Sequence, residues 1–160
     1  TPRLLRRFSY SQVSLGNAKY NELVKQGINM NEIKSRMHNR VLLNMSKKHR
    51  DVKHVYVDKF VSESRYFAYA SVDNETKDNI VFKTKGESRF PSVALASVIA
   101  RYSFITKMAA LSAKYKMNIP FGASAKVDAF AQVFVNKHGV DELRKVAKCN
   151  FENYKRLKVD

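Results

Sequence analysis

Hydrophobic and polar positions along the chain predict a mixture of strands and helices. Alternating residues predict an opening strand at Phe8–Leu15, and a later apolar run that ends at Asp58 is typical of a buried strand. Two further strands are predicted at Arg65–Ala70 and Ile80–Lys83, on either side of a polar turn at residues 73–78. Helical segments separate these strands along the chain.

Helical periodicity predicts four shorter helices. The first covers Lys19–Gln26 and stops before a glycine, which suits a helix C-cap. The second begins near Asn29 or Asn31, and its apolar residues recur every four positions on one face: Ile33, Met37, Val41 and Met45. The third ends at Gly139 and has the i, i+3, i+4, i+7 spacing of a packed helix: Val127, Phe130, Ala131 and Phe134. Asp141 is predicted to cap a further helix.

A long helix is predicted at about Pro91–Lys116. Pro91 suits the first helical position, where a missing N–H is tolerated. Residues 92–100 carry no charge and include many small side chains, so this half of the helix is expected to be buried and to approach a sheet closely. Glu87 lies just before the helix, where an acid without a function would be unusual.

Asp58 and Glu87 are therefore the candidate functional acids. Two carboxylates on rigid elements near a basic surface suggest a metal site that handles phosphate, because hard divalent cations prefer oxygen ligands. Taken alone, Asp58 could instead cap the turn after its strand, and Glu87 could favour a helix start through the helix dipole.

Short motifs in a specific order support the metal-site interpretation. They are Ser14–Leu23, Gly27–Lys34, His38-Asn39, Val57–Phe60, Lys85–Ser88, Ala96–Arg101 and Pro120–Ser124. Together they cover nearly the whole chain and resemble ribonuclease HIII, the bacterial enzymes that cut the RNA strand of RNA–DNA hybrids. The glutamate in Lys85–Ser88 points to the type III enzymes, since the related type II enzymes usually carry aspartate there.

The resemblance implies an α/β fold, in which a ribonuclease-H-like mixed sheet is flanked by helices. It also implies a metal-dependent endoribonuclease that acts on RNA–DNA hybrids, with Asp58 and Glu87 as two of four catalytic carboxylates and as ligands of Mg²⁺ or Mn²⁺. Two such ions about 3.5–4 Å apart stabilise charge on the attacking and leaving oxygens, with water as the nucleophile.

The chain departs from the family pattern in two ways. The family's other two carboxylates form an adjacent Asp-Glu pair on a first strand that a glycine-rich turn follows, and no such strand with its pair and turn occurs in these 160 residues. The adjacent Asp141 and Glu142 lie instead at the start of a predicted helix. Residues 1–160 are therefore expected to form a single domain that is the C-terminal part of a catalytic domain. The Asp-Glu pair would come from a missing N-terminal segment or from a second polypeptide. Asn150 stands where the family usually has histidine.

The composition indicates a polyanionic partner. Lys and Arg number 30 against 14 Asp and Glu, which gives a net charge of +16. Membrane-surface binding is the competing interpretation of a basic chain. No segment pairs a basic face with a bulky apolar one, and no apolar run is expected to reach transmembrane length, so no membrane partner is predicted. Cys149 is the only cysteine and no secretory signal is seen, which fits a cytoplasmic protein.

Substrate contacts are expected from side chains that reach phosphates and 2′-hydroxyls, with little sequence preference. The candidates are Asn17, Lys19, Lys34, Lys85, Arg101, Ser124 and Lys126. Ser124 is expected to cap the helix that contains Asp128, so Asp128 is explained as an acid in an early helix turn, although it is the first alternative for a further ligand. His38 lies in a helix that the resemblance places beside the cleft, and a packing role is expected for it.

Two classes of function remain open on the sequence alone. The chain is either a nuclease, or the part of one that carries half of the metal site, or it is a non-catalytic nucleic-acid-binding or structural fragment. The second class keeps the basic surface but cannot assemble the site.

Overall fold

The computed structural model describes residues 2–71 and 79–157, which contain nine helices and two strands. The helices are α1 (Pro2–Arg7), α2 (Asn17–Lys25), α3 (Met30–Lys48), α4 (Glu63–Ala70), α5 (Gly86–Arg89), α6 (Pro91–Tyr115), α7 (Ala125–His138), α8 (Val140–Val146) and α9 (Glu152–Lys155). The strands are β1 (Val55–Asp58) and β2 (Ile80–Lys83). The predicted α/β class is confirmed, as a mostly helical chain with a small parallel sheet. The predicted turn at residues 73–78 lies outside the described residues.

The chain divides into two compact units, and the division falls within α6. The first unit comprises Thr1–Val13 and Asn29–Phe104, and the second comprises Ser14–Ile28 and Ile105–Asp160. The single-domain assignment of residues 1–160 stays a prediction.

The first unit is built around β1 and β2, which pair in parallel with Asp58 opposite Lys83. A parallel pair requires a crossover connection, and α4 lies within it. The core beneath the sheet consists of Val57, Tyr66, Ala70 and Phe82. The Tyr66 and Phe82 rings meet edge to face at 4.9 Å, and Tyr66 is completely buried.

The predicted strand at Arg65–Ala70 was wrong, because this segment forms α4. Ser62 caps the helix by accepting a hydrogen bond from the Arg65 N–H at 3.4 Å. Tyr66 and Ala70 are both buried, and a spacing of four residues places them on one helix face. Short aromatic runs fit either a strand or a helix, and here the cap and the packing favour the helix.

The predicted strand at Phe8–Leu15 was also wrong. Residues 8–16 follow α1 without regular secondary structure, although partly buried and exposed side chains still alternate between Ser11 and Leu15. A strand exists as such only when its N–H and C=O groups pair with a neighbour. Among the described residues, β1 and β2 pair only with each other.

The second unit is helical and has its own core of Tyr115, Ile119, Ala131, Phe134 and Leu143. Asn21 of α2 fastens the unit together: its amide donates to the carbonyls of Arg144 and Ala147, both at 2.9 Å, and its Oδ1 accepts from the Cys149 N–H at 2.9 Å. One side chain thus satisfies backbone groups at the end of α8.

The predicted helix starts were right for α3 and α7 and wrong for α8. Asn29 caps α3 by accepting from the Glu32 N–H at 3.0 Å, and Ser124 occupies the N-cap position of α7. The N-cap of α8 is Gly139, so Asp141 lies in the first turn, where it pairs with Arg144 at 2.7 Å. Glycine is favoured there because its φ is +83°.

Helix α6 has the predicted start at Pro91 but not the predicted burial. Within it Ile99 and Tyr115 are buried, whereas Val98, Phe104 and Ile105 are more than 40% exposed. The prediction that no apolar run reaches transmembrane length was wrong as well. By length and composition this helix could cross a membrane, with a mean hydropathy of 1.3 over its most apolar window. Core helices pass the same test, so this property assigns no membrane partner.

We predict that Tyr66→Phe raises the stability of the first unit, whereas Tyr115→Phe lowers that of the second. The Tyr66 hydroxyl is buried without a hydrogen-bond partner among the described residues, and burial raises the pKa of Tyr66 to about 12. An unsatisfied buried hydroxyl costs about 1–3 kcal/mol. The Tyr115 hydroxyl donates to Glu142 at 2.7 Å, so its removal should cost about 1–3 kcal/mol.

Urea unfolding of both variants and the wild type measures these changes. Equal destabilisation by the two substitutions would contradict the assignment of Tyr66 as an unsatisfied group.

Candidate functional site

The candidate site begins at the C-terminal end of β1, where Asp58 projects from the exposed face of the strand. Its Oδ1 accepts a hydrogen bond from the Gly86 N–H at 2.9 Å. Gly86 is buried, and a Cβ added to it would lie 3.4 Å from both Cα and Oδ1 of Asp58. A Cβ at position 86 would thus be in ordinary contact with Asp58, and there is little room for a larger side chain.

The segment that carries Glu87 is a tight turn that opens the short helix α5. Lys85 adopts a left-handed conformation, with φ of 55°, and its carbonyl accepts hydrogen bonds from the Ser88 N–H and the Ser88 hydroxyl. A non-glycine residue in this conformation is uncommon and is often found at functional turns. Glu87 is exposed and directly follows Gly86, so its Cα lies about 3.8 Å from that of the residue bonded to Asp58.

The turn continues along the same face of β1. Tyr56 and Asp58 are two residues apart in the strand, so their side chains lie on one face. The Phe90 ring stacks on the Tyr56 ring at 3.9 Å with an interplanar angle of 13°. Gly86 therefore contacts Asp58 and Phe90 contacts Tyr56, and Glu87 lies between Gly86 and Phe90 in the sequence. The stack between Tyr56 and Phe90 was not predicted from the sequence. The indication available there was an aromatic residue, Tyr56, two positions before Asp58.

The donor set fits a hard divalent cation in type but is incomplete in number. Asp58 and Glu87 offer carboxylate oxygens, which Mg²⁺ and Mn²⁺ prefer, and the Gly86 bond holds one Asp58 oxygen in place. Within residues 2–71 and 79–157, no group of three or more His, Cys, Asp or Glu side chains has an arrangement that could hold a metal ion. These two acids would thus supply part of a ligand set.

An aromatic and basic cluster surrounds Phe60, two residues after the end of β1. The His38 ring packs against the Phe60 ring at 5.1 Å, and the Lys34 ammonium lies 5.6 Å from the centre of the same ring. Burial, and secondarily the charge of Lys34, lower the pKa of His38. The expected packing role of His38 agrees with this contact. Lys34, a predicted substrate residue, lies on the same helix as His38.

The other predicted substrate residues are spread over both units. Lys34, Lys85 and Arg101 belong to the first unit, and Asn17, Lys19, Ser124 and Lys126 belong to the second. Lys19 forms an exposed ion pair with Glu22 at 2.8 Å, and Arg101 lies 5.4 Å from the Phe104 ring. Among these residues, Lys85 is the one that adjoins the Asp58 contact.

Asp128, the alternative further ligand, has a structural set of partners. It accepts hydrogen bonds from the amide of Asn153, which is buried, and from Arg156, whose guanidinium lies 3.1 Å from Oδ2. These contacts tie α7 to α9 within the second unit. They explain an acid at this position without catalysis.

The chain is similar to known proteins over nearly its whole length. A family model described as "Ribonuclease HII" matches residues 2–154. Ribonuclease HIII of Phytoplasma mali (strain AT) is 40% identical over 153 residues, which cover 95% of this chain and 53% of that protein. Ribonuclease HIII of Bacillus cereus (strain AH187) is 36% identical over 94% of this chain and 50% of its own length. The chain spans about half the length of these curated relatives.

A solved structure supports the same relationship. The crystal structure of Bst-RNase HIII in complex with Mn²⁺ matches 89% of this chain and 47% of that chain, with a TM-score of 0.84 and 32% sequence identity. The similarity thus extends over nearly all of the present chain.

We predict that Gly86→Val lowers the free energy of unfolding by about 1–3 kcal/mol, because its methyl groups would collide with Asp58. Gly86→Ala adds only a Cβ at ordinary contact distance, so it should change stability by less than about 1 kcal/mol. Gly16→Val is the control, since no atom lies within 4 Å of a Cβ there. Urea unfolding measures all three, and equal effects of the two valines would refute the close approach.

We predict that His38 makes the fold sensitive to acid. Because its pKa is lowered in the folded state, the unfolded chain binds the proton more readily, and stability falls as the pH drops below about 6.5. Above that pH the imidazole is neutral in both states and contributes no pH dependence. His38→Phe should therefore reduce the loss of stability between about pH 7.5 and 5.

Urea unfolding at the two pH values tests this prediction. His54→Gln is the matched control because the His54 side chain is exposed. An unchanged acid sensitivity in His38→Phe would contradict the prediction.

Proposed function

Because the chain belongs to the ribonuclease HII family, we propose that it supplies part of the metal site of an endoribonuclease that cuts the RNA strand of RNA–DNA hybrids. The observation that carries this proposal is the hydrogen bond between Asp58 and the Gly86 amide, which fixes a carboxylate beside the Lys85–Ser88 turn. Two neighbouring acids on a strand end and a tight turn are suited to holding a cation against a phosphate.

In the proposed site, Asp58 and Glu87 are the metal ligands. A bound Mg²⁺ or Mn²⁺ makes water a better nucleophile near neutral pH and stabilises negative charge on the phosphate oxygens. The Gly86 N–H donates to Oδ1 of Asp58 and so holds the carboxylate in one orientation. In this proposal Oδ2 is the oxygen that binds the cation. The Mn²⁺ in the Bst-RNase HIII structure supports a divalent ion of this class.

Lys85 is proposed to contact the substrate near the acids. Its left-handed backbone is fixed by two hydrogen bonds from Ser88, so the start of its side chain has a defined direction. An ammonium group beside the scissile phosphate would offset negative charge that the carboxylates bring to the site. The remaining contacts are assigned to the basic and polar residues already predicted from the sequence: Asn17, Lys19, Lys34, Arg101, Ser124 and Lys126.

We further propose that two-metal hydrolysis needs carboxylates from outside these 160 residues. The described acids contain no third ligand grouped with Asp58 and Glu87, and Asp128 is engaged by Asn153 and Arg156. An adjacent Asp-Glu pair, supplied by a further N-terminal segment or by a second polypeptide, would complete the set. A cytoplasmic location is proposed with the same function, because the sequence has a single cysteine, Cys149, as suits a reducing compartment.

A second candidate is nucleic-acid binding without catalysis. It is favoured by the incomplete ligand set together with the net charge of +16. Under this alternative the 160-residue chain binds hybrids with or without a segment that carries the Asp-Glu pair, and adding that segment does not produce cleavage.

The test incubates the purified chain with a labelled RNA–DNA hybrid and Mn²⁺, with and without a polypeptide that carries the family's Asp-Glu pair. We expect the chain alone to bind without cutting, and the combination to cut. Asp58→Asn should lower that cleavage at least about a hundredfold while the fold is retained, because a direct ligand matters at least as much as the groups that orient ligands.

Three results would change the assignment. Cleavage by the chain alone but not by Asp58→Asn would require a third ligand within it, with Asp128 the first to replace. Full activity of Asp58→Asn would remove that residue from the site. Binding with no cleavage under any combination would favour the non-catalytic alternative.

A further inference from the structure

Two basic segments of the first unit, far apart in sequence, meet at the C-terminal end of α3. The His49 ring is hydrogen-bonded to the Ser9 hydroxyl at 2.8 Å, and the Lys48 ammonium donates to the Tyr10 carbonyl at 3.2 Å. These contacts hold the residues after α1 against the residues that end α3. They also bring together the cations that flank them.

We call these cations the α1/α3 basic patch: Arg6, Arg7, Lys47, Lys48 and Arg50. Two residues span at most about 7 Å, so the Cα of Arg7 lies within that distance of Ser9. The Cα of Arg50 lies about 3.8 Å from that of His49. Cations from two segments are thus held around one contact.

The patch is exposed and carries little compensating charge. All five side chains are exposed, and within the described part of the chain none of them forms a salt bridge. Asp51 is the single acid in residues 2–10 and 44–54, which also contain Arg3 and Lys53. Such a concentration of cations is unfavourable in isolation, because like charges repel, and it becomes favourable when a polyanion is bound.

The patch lies away from Asp58, at the C-terminal end of α3. His38, in the middle of α3, packs against Phe60, two residues beyond Asp58, whereas Lys48 is ten residues further along the helix. At 1.5 Å per residue, His38 and Lys48 are about 15 Å apart along α3, and we take this as the approximate separation between the Asp58 region and the patch. In the sequence, the α3 part of the patch comes before the N-terminal end of β1, whereas Asp58 is the last residue of β1.

We propose that the α1/α3 basic patch binds the phosphate backbone of a nucleic-acid duplex, on the part that flanks the segment held at Asp58. This inference rests on the proposed function, which places the duplex at Asp58. A separation of about 15 Å corresponds to roughly 4–5 base pairs at 3.4 Å each. A long hybrid would therefore reach both places, and a hybrid of only a few base pairs would not.

Nucleic acid is favoured over an anionic membrane for two reasons. Three of the five cations are arginines, whose planar guanidinium groups bind phosphate oxygens in a bidentate manner. Helix α1 has six residues, which is too short to lie stably in a membrane interface as an amphipathic helix.

The experiment measures binding of the full 160-residue chain to an RNA–DNA hybrid of about 4 base pairs closed by a hairpin loop, which falls short of that span, and to a hybrid of about 20 base pairs, which exceeds it. Arg6, Arg7 and Arg50 are replaced together by Gln. We expect affinity for the long hybrid to fall about tenfold or more, and the slope of log affinity against log salt to become shallower by up to about 0.9 for each phosphate that the variant no longer neutralises. Affinity for the short hybrid should change less than about threefold.

The matched control removes three exposed cations elsewhere, by Lys25→Gln, Lys107→Gln and Lys137→Gln, and should leave the difference between the two hybrids unchanged. Replacing the three arginines by Lys keeps the charge and should retain most of the affinity and salt slope. Circular dichroism and urea unfolding verify that each variant is folded.

Equal losses of affinity in the arginine-to-glutamine variant and in the lysine control variant would overturn the proposal, because total charge alone would then account for binding. Equal losses of affinity for the short and the long hybrid would also overturn the proposal, because the arginines would then not contact a part of the duplex beyond the segment at Asp58. Tighter binding to vesicles containing phosphatidylserine than to the long hybrid, abolished in the arginine variant, would assign the patch to a membrane. Because no cleavage is measured, each outcome is independent of the Asp58→Asn test.

Discussion

The hydrogen bond from the Gly86 N–H to Asp58 is the constraint on which the candidate site depends. It joins the end of β1 to the turn that follows β2, and a side chain larger than a methyl group at position 86 would meet Asp58. The turn can then run along the exposed face of the strand, and Phe90 can stack on Tyr56. Glu87 lies between Gly86 and Phe90 in the sequence, so these two contacts limit where its backbone can lie.

The two units reach their stability by different means. The first surrounds a parallel pair of only four residues per strand, and an aromatic cluster of Tyr66, Phe67 and Phe82 provides its packing. Such a small sheet covers little apolar surface, which agrees with the exposure of Val98 and Phe104 in α6. The second unit has no strand in its described residues and relies on helix packing around Phe134.

The sequence predicted the elements whose signals are local. The caps at Asn29 and Ser124 and the proline that opens α6 were located from neighbouring residues alone. Phe8–Leu15 and Arg65–Ala70 were misassigned because strand formation depends on a partner strand, which no local pattern specifies. The burial of α6 was overestimated for a similar reason: an apolar composition does not show which other elements pack against the helix.

Asp58 and Glu87 could be proposed from the sequence because Asp58 ends a predicted strand, Glu87 precedes a predicted helix, and both lie in recognisable motifs. The Tyr56–Phe90 stack and the meeting of Ser9 with His49 were not found, since both join segments more than 30 residues apart. Asp128 shows the opposite case. Its motif context left a role as a ligand open, and its contacts with Asn153 and Arg156 provide a structural one.

The three hydrogen bonds of Asn21 also bear on the order in which the protein can fold during synthesis. Cys149 follows Asn21 by 128 residues, and translation at 5–20 residues per second takes roughly 6–26 s to cover that distance. Until Arg144 is added, Asn21 has none of these three partners, whereas every residue of the first unit is already synthesised once Phe104 has been added. During synthesis the first unit can therefore fold before α2 can form its hydrogen bonds with the residues around Arg144 and Cys149.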